Sequence, residues 1–223
     1  MKLISMQIAL FAQDLISRPD LLMNEINDKL GNIFDTMPTI LNLPADVPAE
    51  IPLAQIRSKD GVYALNISRG RIDLIITPSF QEDKTPQDMF KQYKPIVDKY
   101  YKTSMKSVPI KRIGIIFTLF EPSNTNVQVI YEKYLKEKYR SDSMEVTVHT
   151  NNQILNLGVV YNNIRNVQAA VIHVGKEDHT GVVIQLDTNN VPSKEVTLTS
   201  EMVANIISHA AAKLKPSAVK ELI

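Results

Sequence analysis

Cysteine is absent from the 223 residues. That excludes disulfide bonds, thiolate metal sites and a cysteine nucleophile. It also fits a cytoplasmic chain, which is the location expected. A charge excess of either sign is missing too: 25 basic residues face 24 acidic ones, for a formal net charge of +1. Neither nucleic acid nor a membrane surface is therefore expected as a partner. No stretch approaches the roughly 18 to 20 apolar residues that a membrane-spanning helix needs. The apolar N-terminus is interrupted by Ser5 and Gln7, meets Asp14 early and has no small-residue cleavage signature, so it is expected to be a strand and not a leader. The signatures G-x-x-x-x-G-K, G-x-G-x-x-G, G-x-S-x-G and H-E-x-x-H are all missing. The histidines, His149, His173, His179 and His209, show no metal-ligand spacing. No metal site and no cofactor are predicted.

What is present is enough for a sizeable core, with 44% hydrophobic residues. The chain is organised around residues 52–78, which read as a three-stranded antiparallel meander. Asp60-Gly61 supplies one turn and Gly70 the other. Tyr63, Leu65 and Ile67 alternate onto one face, as do Ile72, Leu74 and Ile76. That period of two marks a sheet buried on one side, which needs helices to cover it.

The flanking segments match that need. Residues 2–12 alternate as a strand. A helix follows, capped by Ser17 with Asp20 three residues later, and its stripe of Leu22, Ile26, Leu30, Ile33 and Met37 runs to Pro38. Residues 38–52 hold Pro38, Pro44, Pro48 and Pro52 and predict a semi-rigid connector lying across the core. Thr85, Pro86 and Asp88 start a second helix with Met89, Tyr93, Val97 and Tyr100 on its buried stripe; Pro95 predicts a kink or a division in two. Residues 110–120 carry apolar groups on both faces and predict a central strand. A short helix ending near Arg140 comes next. Four strands are then expected at 144–149, 154–161, 164–174 and 181–187, with turns at Asn151-Asn152 and Asn162-Asn163, a loop from Gly175 to Gly181, and a further loop at 188–197 containing Pro192. The last helix spans about 199–214. The order predicts an α+β protein, with antiparallel sheets packed on three or four amphipathic helices. One continuous domain is favoured, with two similar subdomains divided near 105–126 as the alternative.

Candidate chemistry is sparse. Arg57, Arg69, Arg71 and Arg112, with Lys59 and Lys111, stand at the ends of predicted strands and can bind phosphate or a carboxylate-bearing partner; a solvated, charge-balanced face explains them equally. Asp187 ends a predicted strand, where a turn is the favoured role and chemistry the alternative. His209, among Ala210, Ala211 and Ala212, reads as a helix residue and not a base.

The run IPLAQIRSKDGVYALNISRGRIDLII, the aromatic-striped helix at 86–105, the strand opening Lys111-Arg112-Ile113-Gly114 and the segment from Gly181 to Asp187 together resemble a bacterial family of sporadically distributed conserved proteins with no known activity. Phe117-Thr118 depart from a tyrosine-asparagine pair found there in that family. The resemblance implies the fold and no catalytic residue. The leading expectation is a non-enzymatic protein that binds another protein or itself as a homo-oligomer. A small-molecule or phosphate-handling enzyme using the arginines with Asp187 is the first alternative, and a structural component of a phage-like or secretion-like assembly the second.

Overall fold

In the computed structural model, residues 1–44, 46–123, 126–134, 146–156, 158–191 and 197–220 are described. The period-two segments become strands of one sheet. In chain order these are β1 (Lys2–Ala12), β2 (Thr39–Ile40), β3 (Pro52–Arg57), β4 (Tyr63–Ser68), β5 (Arg71–Ile76), β6 (Ile110–Pro122), β7 (Thr147–Asn156), β8 (Val159–Val174) and β9 (Glu177–Asn190). The helices are α1 (Pro19–Lys29), α2 (Pro86–Ser107), α3 (Asn126–Tyr134), α4 (Ser200–Ala212) and α5 (Pro216–Lys220). The nine strands lie in the order β2-β3-β4-β5-β1-β6-β9-β8-β7, and every pairing is antiparallel. This is the expected α+β class.

Strand β1 occupies the middle of that order. Its alternation aligns Ile8 with Leu74 on β5 and Ile115 on β6, and Leu10 with Ile72 and Ile113. These side chains are buried, as are the stripes Leu22, Met23 and Ile26 of α1, Met89, Tyr93, Val97 and Tyr100 of α2, and Val203, Ile206 and Ile207 of α4. They form one hydrophobic cluster on one side of the sheet. Tyr100 drives its hydroxyl into this core and donates to the carbonyl of Ile72 at 2.8 Å. Reading outward from the β1–β6 pair, the two flanks repeat one plan. Each first strand is followed by a helix, then by an antiparallel meander whose last strand returns beside the first, then by another helix.

Helix starts match their chemistry at Thr85 and Thr199, whose hydroxyls accept from the amides of Asp88 and Met202. Several expectations need correction. Ser17 does not cap α1: Arg18 holds the cap position without a side-chain bond, and it pairs with Asp20 instead. The helix stops at Lys29, well before Pro38. Gly31 and Asn32 both take positive φ, and their amides bond to the carbonyls of Asp28 and Asn27, which closes the last turn and satisfies its carbonyls. The connector does not cross the core. Ile40, Leu41, Leu43 and Ile51 are exposed, because β2 joins the sheet at its outer edge beside β3. Pro95 does not divide α2, which runs unbroken for 22 residues.

The asparagine pairs are not turns. Asn151-Asn152 and Asn162-Asn163 lie inside β7 and β8, where Asn152 faces Asn163 across the ladder. The chain turns at Gly158 and at Gly175, both at positive φ, so three long strands replace the four short ones. Asp187 is likewise inside β9 and ends no strand. The predicted end of the third helix near Arg140 and the predicted loop position of Pro192 fall outside the described residues.

Gly181 is required for a close approach. A Cβ there would collide with the backbone oxygen of Glu121 and lie 2.5 Å from Cζ of Phe120. Phe120 is fully buried and cannot swing aside freely. Gly181→Ala is expected to cost about 1–3 kcal/mol, the usual penalty of overpacking, measured as a lower urea midpoint at unchanged slope.

Candidate functional site

Every second residue of β1 points away from the helices, and this opposite face carries most of the residues singled out in the sequence. Asp73, Ala9, Gly114, Asn189, Asn162 and Gln153 stand in register across six strands. Beside this row, Arg71 and Arg112 flank Phe11, with guanidinium carbons 5.6 and 4.9 Å from its ring centre, within cation–π range. Arg71 donates to Asp73 at 2.7 Å, and Gln7 donates to the same carboxylate at 3.0 Å. Burial pushes the Asp73 carboxyl above its ordinary value, and Arg71 and Gln7 pull it part of the way back. Arg112 donates to Asn189 at 3.3 Å, and Asn189 donates to Asp187 at 3.0 Å.

Arg71, Arg112 and Asp187 are therefore brought onto one surface, joined through Phe11 and Asn189. Arg57 shares that face but stands exposed at the end of β3, opposite Ala64. Arg69 sits in the β4–β5 turn, where it holds the carbonyl of Val47. Most polar contacts in this patch join its own members.

A second constellation lies on the helix side, at positions that no sequence motif marks as a site. The cross-strand sets Thr150–Arg165–Leu186 and Asn152–Asn163–Thr188 form a floor on β7, β8 and β9. Lys213, just past α4, and Ala218 of α5 stand over it. Between them is a cleft of about 420 Å³. The Lys213 ammonium bonds to Oδ1 of Asn163 and, at 2.6 Å, to the Thr188 hydroxyl. His209 reaches the same Asn163 oxygen from Nε2 at 3.3 Å. Lysine can only donate, which fixes the orientation of the Asn163 amide and requires the Nε2–H tautomer of His209. Burial pushes Lys213 down to about 8, with Asp187 opposing the shift. Burial first, and Lys213 second, lower His209 below its ordinary value, so its imidazole is neutral at pH 7. The available signal was a lysine and a histidine at helical spacing on the last helix, opposite asparagine, arginine and threonine on strands. Only the strand pairing shows that they meet.

A third feature is the sheet edge. β7 is the terminal strand and pairs only with β8 among the described residues. Its ten residues, TVHTNNQILN, include no Asp, Glu, Lys, Arg or Pro. The opposite edge, β2, is two residues long and follows Pro38.

No group of three or more histidine or acidic side chains is placed to hold a metal ion among the described residues. No described helix is long and apolar enough to cross a membrane. No family model matches the chain, and no curated protein matches it. One solved structure, the di-domain ARO/CYC protein StfQ from the steffimycin biosynthetic pathway, aligns with 96% of this chain and 98% of its own length, at 8% identity and a TM-score of 0.20. A likeness that loose carries no weight for fold or activity.

The half-buried ammonium has a measurable signature. Its folded value of about 8 lies below the ordinary 10.5, so between those values the unfolded chain binds more protons than the folded one. Stability contributed at this position therefore rises with pH through that window. Wild type is expected to gain stability relative to Lys213→Met as pH rises from about 8 towards 10.5, followed by urea denaturation of both proteins; parallel curves would refute the assignment.

Proposed function

We propose that this chain is a non-enzymatic, self-associating protein in which a second copy pairs along β7. The observation that carries this reading is an edge that no other strand pairs among the described residues. Terminal strands normally carry charges, prolines or bulges, or are very short, because a free row of N–H and C=O groups templates further pairing. β2 has two of those devices: it is two residues long and follows a proline. β7 has neither, over ten residues, and Leu155 on it is 72% exposed. An uncharged polar edge of this length suits strand addition, in which main-chain bonds supply affinity and alternate side chains supply register.

A two-fold axis beside β7 satisfies both copies with one contact and closes the assembly as a dimer. His149, Asn151, Gln153 and Leu155 would then meet their mates on the face away from the helices, and Val148, Thr150, Asn152 and Ile154 on the other. Binding is favoured over catalysis because both carboxylates of the arginine patch are held by its own members: Asp73 by Arg71 and Gln7, and Asp187 by Asn189.

The test uses the exposed pair Asn151 and Leu155, whose substitution leaves the core untouched. Wild type is expected to sediment as a dimer at micromolar concentration, and Asn151→Lys/Leu155→Lys as a monomer with an unchanged circular dichroism spectrum. Like charges facing each other across paired strands account for the difference. A monomeric wild type at high micromolar concentration, or a variant that still dimerises, would refute the proposal.

A further inference from the structure

We propose that the cleft between β7, β8, β9 and the C-terminal helices binds a small organic acid, whose carboxylate or phosphate group sits between Lys213 and Arg165 and whose apolar body rests on Leu186. The cleft of about 420 Å³ falls within the size range of small-molecule sites. No carboxylate lines it among the described residues, while a lysine and an arginine both do. Two cations sharing a partly enclosed space with no counterion among the described lining residues leave it short of negative charge. The chemical form that corrects this is an oxyanion.

The side chains divide the task. An ammonium has three donors; those of Lys213 that bond Asn163 and Thr188 aim the group, and the third remains for a ligand. Arg165 presents a planar fork that matches two oxygens of a carboxylate or phosphate at once. Thr150 and Asn152 on β7 add neutral hydrogen-bonding groups at the rim. The Thr188 hydroxyl is spent on the lysine and on Asn163, so it positions the ammonium and does not touch the ligand. His209, held by Asn163 and neutral, adds no third charge. The site therefore favours a monoanion or dianion over a polyanion.

The probes are butyrate, its neutral isostere butyramide and inorganic phosphate, with binding followed by titration calorimetry and by the NMR shift of the Lys213 Nζ signal in the full chain. Butyrate or phosphate is expected to bind and to move that signal, and butyramide to do neither. Tighter binding of phosphate identifies a phosphorylated ligand, and tighter binding of butyrate a carboxylic acid. Lys213→Met and Arg165→Gln are each expected to weaken binding by about 10- to 100-fold, the worth of one charge-assisted hydrogen bond. Lys213→Met exchanges a half-buried charge for an apolar group of similar length, so its folding is checked independently by the urea denaturation above. Affinity is also expected to fall as pH passes about 8, where the ammonium deprotonates: burial lowers it and Asp187 opposes the shift, while Arg165 and the neutral His209 are the other titratable groups that face it. Butyramide binding as well as butyrate, anion binding that both variants retain, or no anion binding in the millimolar range would each overturn the proposal. None of these readouts depends on whether β7 pairs with a second copy.

Discussion

The strict alternation of β1 is the constraint on which the architecture rests. The strand lies between β5 and β6, and its ladder positions fix the register of both flanks. A slip of one residue would turn Met6, Ile8 and Leu10 away from the helices and bring Gln7 into the core. Both neighbours repeat the same parity: Ile72, Leu74 and Ile76 on one side and Ile113, Ile115 and Phe117 on the other are buried. The helices are held because their apolar stripes find this continuous surface and nothing comparable elsewhere. Short helices such as α1 gain most of their stability from that packing, and little from intrinsic propensity.

The same parity creates the opposite face and its difficulty. With no helix to bury, that face has to keep nine strands from stacking on other molecules while satisfying the side chains that neighbours partly shield. Asp73 is almost fully buried there, although it is a carboxylate. Arg71 and Gln7 offset its loss of water, and Phe11 separates two guanidinium groups that would otherwise repel. Removing one partner of such a set leaves a buried charge uncompensated, whereas the intact set contributes little net stability. The patch is thus a surface solution to a folding requirement. That explains why arginines far apart in sequence converge without forming a pocket.

The legible parts of the chain were those governed by local rules. Period-two alternation located β1, β3, β4, β5 and β6, and the Thr85–Asp88 and Thr199–Met202 caps marked helix starts. The failures have physical causes. Gly31-Asn32 is a left-handed helix stop hidden inside an apolar stripe that continues through Ile33 and Phe34, so periodicity outvoted the cap. Asn162-Asn163 is a turn signal overridden by tertiary context: in the strand, Asn162 bonds to Asn189 and Asn163 accepts from Lys213, and these partners lie more than 20 residues away. Of the five residues picked for chemistry, Arg71, Arg112 and Asp187 did gather. His209 reads as a plain helix residue and Lys213 and Arg165 carry no local signal, because their meeting depends on β8 and β9 pairing under α4, which no local pattern encodes.

The two flanks differ most where their shared plan would predict likeness. In the β3–β5 flank the helix-side positions are apolar: Ala54, Ile56, Leu65, Ile67, Ile72, Leu74 and Ile76 are buried and Tyr63 is half-buried. In the β7–β9 flank the corresponding side carries Asn152, Asn163, Arg165 and Thr188 as well as Val167, Ile184 and Leu186. Polar residues on the core-facing side cost stability where they lose water, as Thr188 does, and a half-buried ammonium depressed to about 8 costs more. Sequences depart from local consistency chiefly where a site requires it. The neighbouring edge β7 departs as well, since it lacks the charges that would protect it, and it supplies Thr150 and Asn152 to the cleft. Both departures fall on one flank and share one strand.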